Sequence, residues 1–330
     1  MSIYIYDSTN ISIFQGQNTN NNLDDYVNET FGNRKKGNEV IQKAYFRLEL
    51  AKQLPEGKAK RLLDCWSHIK IAKHRITNEI KLVSANSCRV RLCPACAWRR
   101  MRKFALENAL MLTDFAVKTN YKYIFLTVTV KNCTGTDLPK VLNNMLGAWY
   151  KMLKLRRLKS INIGCIRNLE ITYNRRSKTF HPHIHAIIAV PPTYIGKDYI
   201  TQAEWAEYWK KAMDLDYTPV TDVRAIKNIL SDKSCWEISK YVAKISTYIN
   251  LSPSELDSVI QNMDIALTNR RIISYTGAFR KWRREKKLED DIKDGDSTAL
   301  GDEWEVFAYQ YIYGRQIYVR TNDAPLPQCN

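Results

Sequence analysis

Two hydrophobic periods alternate along the middle of this chain. Residues 121–130, Tyr-Lys-Tyr-Ile-Phe-Leu-Thr-Val-Thr-Val, are β-branched and aromatic with threonine as the main polar interruption, and predict a central strand. From Leu138 to Leu158 the period lengthens: Val141, Leu142, Met145, Leu146, Trp149, Met152 and Leu153 make one helical stripe. Lys154, Arg156 and Arg157 lie towards its C-terminal end, where cations offset the helix dipole. Residues 165–173 and 181–190 return to strand composition on either side of the polar segment Asn174-Arg-Arg-Ser-Lys-Thr179, the pattern of a hairpin. Thr201-Gln-Ala-Glu204 has the spacing of a capping box for a helix over 203–213, and residues 217–226 alternate into a further strand. Residues 236–249 place Ile238, Val242, Ile245 and Ile249 on one helical stripe.

Upstream, Leu48, Leu50, Leu54, Leu62, Leu63, Trp66, Ile69 and Ile71 recur at helical spacing around the break Pro55-Glu-Gly57, and predict two helices between Val40 and Ile80. The whole order predicts an α+β fold: one central antiparallel sheet covered by helices, with a small zinc-stabilised helical segment beside it. The chain divides into a flexible polar extension over 1–38, a helical and zinc-binding segment over 39–118, a sheet-bearing domain over 119–287 and an acidic-rich, solvating tail over 288–330.

The histidines sharpen this picture. Three of the five fall in His181-Pro-His-Ile-His185. On a strand, His183 and His185 project from one face while Ile184 packs on the other. If the hairpin turns between Arg176 and Ser177, Glu170 falls opposite His183, with Thr172 on the same face; a slip of one residue would break this. Two neutral imidazoles and a carboxylate suit a divalent cation such as Mn²⁺ or Mg²⁺ acting as a Lewis acid, and the residues do not choose between the two.

A formal charge of +17 and a pI near 9.4 point to a polyanionic partner. With 11% aromatic residues interleaved with Arg and Lys, and no basic amphipathic helix standing out, nucleic acid fits better than a membrane surface. Met1-Ser-Ile-Tyr-Ile-Tyr-Asp7 has no basic region followed by a sustained apolar one, so we expect a cytosolic, cytoplasmic protein whose cysteines are reduced. Cys88 and the knuckle Cys93-Pro-Ala-Cys96 then read as zinc ligands, with Cys65 chosen as the fourth and His68 and His74 in reserve. Arg99, Arg100, Arg102 and Lys103 open the next helix, which we expect to run to about Lys118, and form a candidate phosphate grip; a solvated helix face is the alternative.

The helix over 236–249 carries the candidate nucleophile. Glu237, Tyr241, Lys244 and Tyr248 flank its buried stripe. A tyrosine oxygen can attack a metal-polarised phosphodiester to give a covalent phosphotyrosine; the metal and Lys244 favour the phenolate, and Glu237, one turn before Tyr241, is set to act as general base.

Together, Phe125-Leu-Thr-Val-Thr-Val-Lys-Asn132, His181-Pro-His-Ile-His185, Glu237-Ile-Ser-Lys-Tyr-Val-Ala-Lys244 and the cysteine run 88–100 resemble rolling-circle replication initiators of small plasmids, in the HUH endonuclease superfamily of the single-tyrosine type. The resemblance spans roughly residues 60–285, including Tyr275-Thr-Gly-Ala-Phe-Arg-Lys281. It implies a five-stranded antiparallel sheet of ferredoxin-like or RRM-like character, so that 119–287 would be the nuclease domain. It implies that His183 and His185 hold Mg²⁺ or Mn²⁺, with His181 supporting, and that Tyr241 nicks one strand at the plasmid origin, leaving a 3′-hydroxyl and a 5′-phosphotyrosine. A glutamate at the position of Glu237 would drive the terminating hydrolysis. The implied partners are origin DNA in single-stranded and hairpin forms, a host helicase and a polymerase. A transposase or relaxase of the same superfamily, and a zinc-dependent DNA-binding regulator without chemistry, are the alternatives.

Overall fold

The structure, a computed structural model, describes residues 16–17, 22–30, 46–227, 238–239, 251–288, 302–312, 315 and 317–321. The chain forms two compact units, one made of residues 1–100 and 291–330, the other of 101–290. Strands and helices are numbered in chain order.

The first unit is built on an antiparallel sheet of order β1-β3-β2-β9-β10, from β1 (Gly16–Gln17), β2 (His68–His74), β3 (Glu79–Ala85), β9 (Trp304–Ile312) and β10 (Ile317–Thr321). Helices α1 (Leu23–Thr30) and α2 (Glu56–Leu63) accompany it. Three sequence expectations are revised here. The predicted second helix stops at Leu63, because Trp66 takes a positive φ of 64°, which a helix cannot contain, and the chain leaves as a strand. Of the residues counted as helical spacing, Leu48, Leu50, Leu62 and Leu63 do lie in helical turns, but Ile69 and Ile71 are a strand alternation, both pointing inward and buried. The acidic tail likewise contains two strands, since Phe307, Tyr309 and Tyr318 bury rings at alternate positions that the count of carboxylates concealed. Part of the polar extension is also tied down. Asn28 donates from Nδ2 to the Tyr318 carbonyl at 2.9 Å and accepts from the Tyr318 N–H at 2.7 Å, while the Tyr309 hydroxyl donates to Asp24 at 2.6 Å.

The second unit contains the predicted five-stranded antiparallel sheet, in the order β7-β4-β6-β5-β8: β4 (Lys122–Thr129), β5 (Gly164–Asn174), β6 (Thr179–Val190), β7 (Thr221–Ile226) and β8 (Ile273–Thr276). Its helices are most of α3 (Pro94–Lys118), then α4 (Leu138–Leu153), α5 (Arg156–Ile161), α6 (Gln202–Met213), α7 (Pro253–Leu267) and α8 (Gly277–Glu285). The capping box of Thr201 and Glu204 forms as the spacing predicts.

The two faces of this sheet differ. On one, Leu126, Val128, Ile184, Ala186, Leu169 and Ile171 are fully buried, as is the stripe Leu142, Met145, Trp149 and Met152 of α4, a helix that packs on α6 and α7. The other face is split along the strands. Its first half is apolar: Tyr123, Phe125, Ile166, Ile187, Ile226 and Tyr275 pack with Phe104, Met111 and Leu112 of α3, with Phe279 and Trp282 of α8, and with Ile238. Gly277, at φ 56°, lets α8 start against β5, where a Cβ would overlap the Ile163 carbonyl oxygen. The second half of the same face is polar, and the candidate site lies there.

Candidate functional site

The hairpin of β5 and β6 sets the site. Asn174 pairs with Thr179, so the turn is centred between Arg176 and Ser177, and the Asn174 side-chain oxygen accepts from the N–H of Arg176 at 3.0 Å and of Ser177 at 3.2 Å. That register puts Glu170 opposite His183 and Asn168 opposite His185. On the other side of β6, Thr129 faces His183 and Thr127 faces His185.

The three predicted side chains meet. Nε2 of His183 and Nε2 of His185 lie 3.3 and 3.1 Å from the same Glu170 oxygen, Oε2. Glu170 and His185 are buried, and one donor atom from each of the three residues falls within 4.8 Å of the others. The far ring nitrogens are also engaged: His183 Nδ1 donates to the His181 carbonyl at 3.2 Å, and His185 Nδ1 bonds the Thr127 hydroxyl at 2.9 Å. A carbonyl only accepts, so His183 carries a proton on Nδ1, and its Nε2 meets the carboxylate oxygen as a donor when the ring is protonated and offers a lone pair to a cation when it is neutral. Two imidazoles and a carboxylate, with their outer nitrogens fixed by hydrogen bonds, fit a divalent metal. Burial would raise the Glu170 carboxyl, but its hydrogen bonds and charge interactions with His183 and His185 outweigh that and hold it well below the usual range. His181 sits just outside, its ring 5.6 Å from that of His183; burial and the neighbouring imidazole push it down.

Thr127 is the contributor that sequence reasoning missed. The signal was its position: a hydroxyl at the alternate site of an apolar strand that pairs with the histidine strand.

The cysteine choice is matched by a second cluster, in the first unit. Sγ separations are 3.5 Å for Cys65–Cys96, 3.6 Å for Cys88–Cys96 and 3.7 Å for Cys65–Cys93, all four residues being buried and unbridged. Tetrahedral sulfurs about 2.3 Å from a zinc ion would stand about 3.8 Å apart, so the cluster fits a zinc site. Thiol donors from Cys65, Cys88 and Cys93 pull Cys96 strongly down, whereas hydrogen bonds to neighbouring thiols and burial push Cys65 and Cys88 up. The reserve ligands are used elsewhere. His68 Nδ1 bonds the Ser67 hydroxyl at 2.8 Å, and His74 accepts from the N–H groups of Ile76 and Thr77 and packs on Trp304.

The basic cluster is not a free patch. Arg99 is buried and donates to Ser87 Oγ at 3.0 Å, Arg100 donates to the Arg89 carbonyl at 2.9 Å, and Lys103 stands 3.9 Å from Glu107; Arg102 is partly exposed. For Arg99 the expected phosphate contact is replaced by an internal one. Glu237, Tyr241, Lys244 and Tyr248 lie outside the described residues. Two neighbours within that segment are described. Ile238 is buried in the apolar half of the histidine face, and Ser239 Oγ accepts from Asn108 Nδ2 at 3.0 Å. That cluster contains Phe125, whose ring lies 5.5 Å from that of His185.

An antiparallel sheet with a buried His-His-Glu cluster on one face, in a chain that also carries a four-cysteine cluster, defines an α+β protein with two candidate metal centres. The chain belongs to the Replication protein family, whose model matches residues 79–318. It is 35% identical over 277 residues to a Protein rep of Bacillus amyloliquefaciens, covering 76% of this chain and 82% of that one. To a Protein rep of Staphylococcus aureus it is 32% identical over 232 residues, 69% of this chain and 99% of the relative. A further Protein rep, from Lactiplantibacillus plantarum, is 32% identical over 239 residues, 69% of this chain and 75% of that one. No solved structure gives a significant match. The family agrees with the replication initiators that the sequence motifs resemble. No helix among the described residues is long and apolar enough to cross a membrane.

Proposed function

We propose that this protein is a plasmid rolling-circle replication initiator, a cytoplasmic nickase that opens one strand of its origin and later closes it. The observation that carries the reading is the convergence of His183 Nε2 and His185 Nε2 on one Glu170 oxygen, a donor set that a divalent cation would satisfy. In this reading unit 101–290 is the nuclease domain, and His183, His185 and Glu170 hold Mn²⁺ or Mg²⁺. A divalent ion there would supply Lewis acidity to a phosphodiester.

The chain's own groups do the rest. Thr127 and the His181 carbonyl orient the imidazoles. The Tyr241 oxygen attacks the phosphorus, the bond from phosphorus to the 3′ oxygen breaks, and the leaving oxygen takes up a proton. The products are a 5′-phosphotyrosine and a free 3′-hydroxyl for a host polymerase, with a host helicase opening the duplex ahead. Lys244 stabilises the phenolate, and Glu237 removes a proton from the water that ends the cycle. Ile238 and Ser239 support these assignments, because they anchor the segment two and three residues before Tyr241 beside the histidine face. The four cysteines hold structural zinc, and Arg100, Arg102 and Lys103 serve DNA binding, to which a net charge of +17 lends affinity.

The test is incubation of the supercoiled cognate plasmid with the full chain and Mn²⁺. Open circles carrying protein on a 5′ end are expected, with no adduct from Tyr241→Phe and none from His183→Ala. Intact plasmid would leave a DNA-binding regulator, and an adduct from Tyr241→Phe would move the nucleophile elsewhere, with Tyr248 next to test.

A further inference from the structure

Beyond the triad, β4 runs on to a rigid ledge that none of the chemistry above uses. Helix α6 ends at Asp214 in the left-handed conformation, φ 57°, which turns residues 215–220 across the end of β4. Three hydrogen bonds stitch the two together: Trp209 Nε1 donates to the Thr129 carbonyl at 2.8 Å, Thr129 Oγ1 donates to the Val220 carbonyl at 2.9 Å, and the Lys131 N–H donates to the Tyr217 hydroxyl at 2.9 Å. Trp209 is fully buried, so the platform is anchored in the core. On it, the Lys131 ammonium stands 4.0 Å over the Tyr217 ring.

Its place relative to the triad is fixed by the strand. Thr127 bonds His185, Thr129 pairs with His183, and the backbone of Val130, next to Lys131, bonds the His181 ring. Lys131 is exposed and Tyr217 partly so, and among the described residues no carboxylate pairs with this ammonium. An exposed cation and a partly exposed aromatic ring, its hydroxyl fixed by the Lys131 N–H two residues past Thr129, match the two demands of a single strand beside a candidate phosphate-activating centre: a phosphate contact and a stacking surface.

We propose that Lys131 and Tyr217 form a subsite for single-stranded DNA, Lys131 gripping a phosphate adjoining the scissile one and Tyr217 stacking the neighbouring base. This rests on the reading of the triad as a centre that acts on DNA. A strand gripped there is held in line past His181 and His183, so the pair acts on substrate position and not on the bond-breaking step.

The test separates the subsite from the nicking chemistry by working without metal. Binding of a fluorescein-labelled dT12 oligonucleotide, and of a duplex of the same length, is followed by anisotropy in EDTA over a range of salt. Lys131→Met keeps a long apolar side chain over Tyr217, and should weaken dT12 binding about fivefold or more and reduce the slope of log K against log salt by about 0.7. Tyr217→Ala should weaken it by about fivefold or more through lost stacking. Lys131→Arg should restore most of the affinity, and Lys197→Met, an exposed lysine elsewhere in the unit, should leave it unchanged. Duplex binding should change less than twofold in every case. Wild-type dT12 affinity in Lys131→Met, or an equal loss for duplex, overturns the subsite and leaves the nickase reading standing. The expected losses, together with a wild type that never nicks, would keep the subsite and remove the nickase.

Discussion

Thr127 Oγ1 lies 2.9 Å from His185 Nδ1, on the side of the ring away from Glu170. The contact fixes the ring's rotation and leaves Nε2 aimed at the carboxylate. Groups in this outer position affect metal affinity by about 10- to 100-fold. Thr127→Val, which keeps the strand-forming shape and removes the hydroxyl, should weaken Mn²⁺ binding within that range while the thermal midpoint shifts little; titration calorimetry checks the first and a melt the second. Unchanged Mn²⁺ affinity would mean that packing alone holds the ring.

Glu170 predicts a pH dependence. Its folded-state carboxyl is held well below the ordinary range, so the stability it contributes is present above the unfolded value and is lost as pH falls through the folded one. In EDTA, the wild type should exceed Glu170→Gln in midpoint at pH 6 to 7, and the gap should close steadily towards pH 3. A gap that widened on acidification would reverse the sign and contradict the two imidazoles as its cause.

The cysteine cluster predicts one zinc per chain. Structural zinc in small sites contributes about 10–16 kcal/mol of apparent binding free energy at neutral pH, and zinc held by these four cysteines would couple that to the folding of the first unit. Chelation, or Cys93→Ser, should therefore remove the metal and cost several kcal/mol, roughly, seen as an early loss of structure in a urea titration. Retention of one zinc by Cys93→Ser would show that this thiol is not a ligand.

A buried ion pair gives a sharper contrast. Arg283 Nη1 donates to Glu107 Oε2 at 2.6 Å, the two side chains being 5% and 3% exposed, and the guanidinium lies 4.2 Å over the Tyr275 ring. Removing one member leaves the other charge buried, at a cost of roughly 3–5 kcal/mol. Glu107→Met should be destabilised by about that much in urea, and the double variant Glu107→Met with Arg283→Met should recover much of the loss. A double variant as unstable as the single would show that the pair is a net stabiliser.

The legible parts of the structure were those in which one local signal decided the outcome. The polar hexapeptide 174–179 fixed the turn, the turn fixed the register, and the register brought Glu170 opposite His183. Cys65 was found because a fourth soft ligand was required and buried cysteine suits that role. The first unit was illegible for a different reason: its sheet joins β2 to a strand more than two hundred residues away, and a short alternation such as Ile69 and Ile71 resembles helical spacing when the partner strand is unknown. Arg99 was misplaced because a run of arginines carries no mark of which one turns inward.

Asn108 ties the residues around Ser239 to the apolar half of the histidine face. Fully buried on α3, it accepts the Tyr275 hydroxyl at 2.8 Å through Oδ1 and donates through Nδ2 to Ser239 at 3.0 Å, two residues before Tyr241. Neither bond touches Glu170, His183 or His185. Ile238 adds apolar burial at the same point. If Tyr241 is the nucleophile, this anchor sets where its segment begins, and small displacements of a nucleophile cost about 100-fold in rate. Ser239→Ala removes one neutral hydrogen bond, worth about 1 kcal/mol to stability, and should leave the chain folded. Its nicking kcat should nevertheless fall by about tenfold or more while the KM for origin DNA stays within twofold, and Ser239→Thr, which keeps the hydroxyl, should recover most of the rate. Equal losses in the Ala and Thr variants, or a loss confined to KM, would place the serine in general packing and free the tyrosine segment from this anchor.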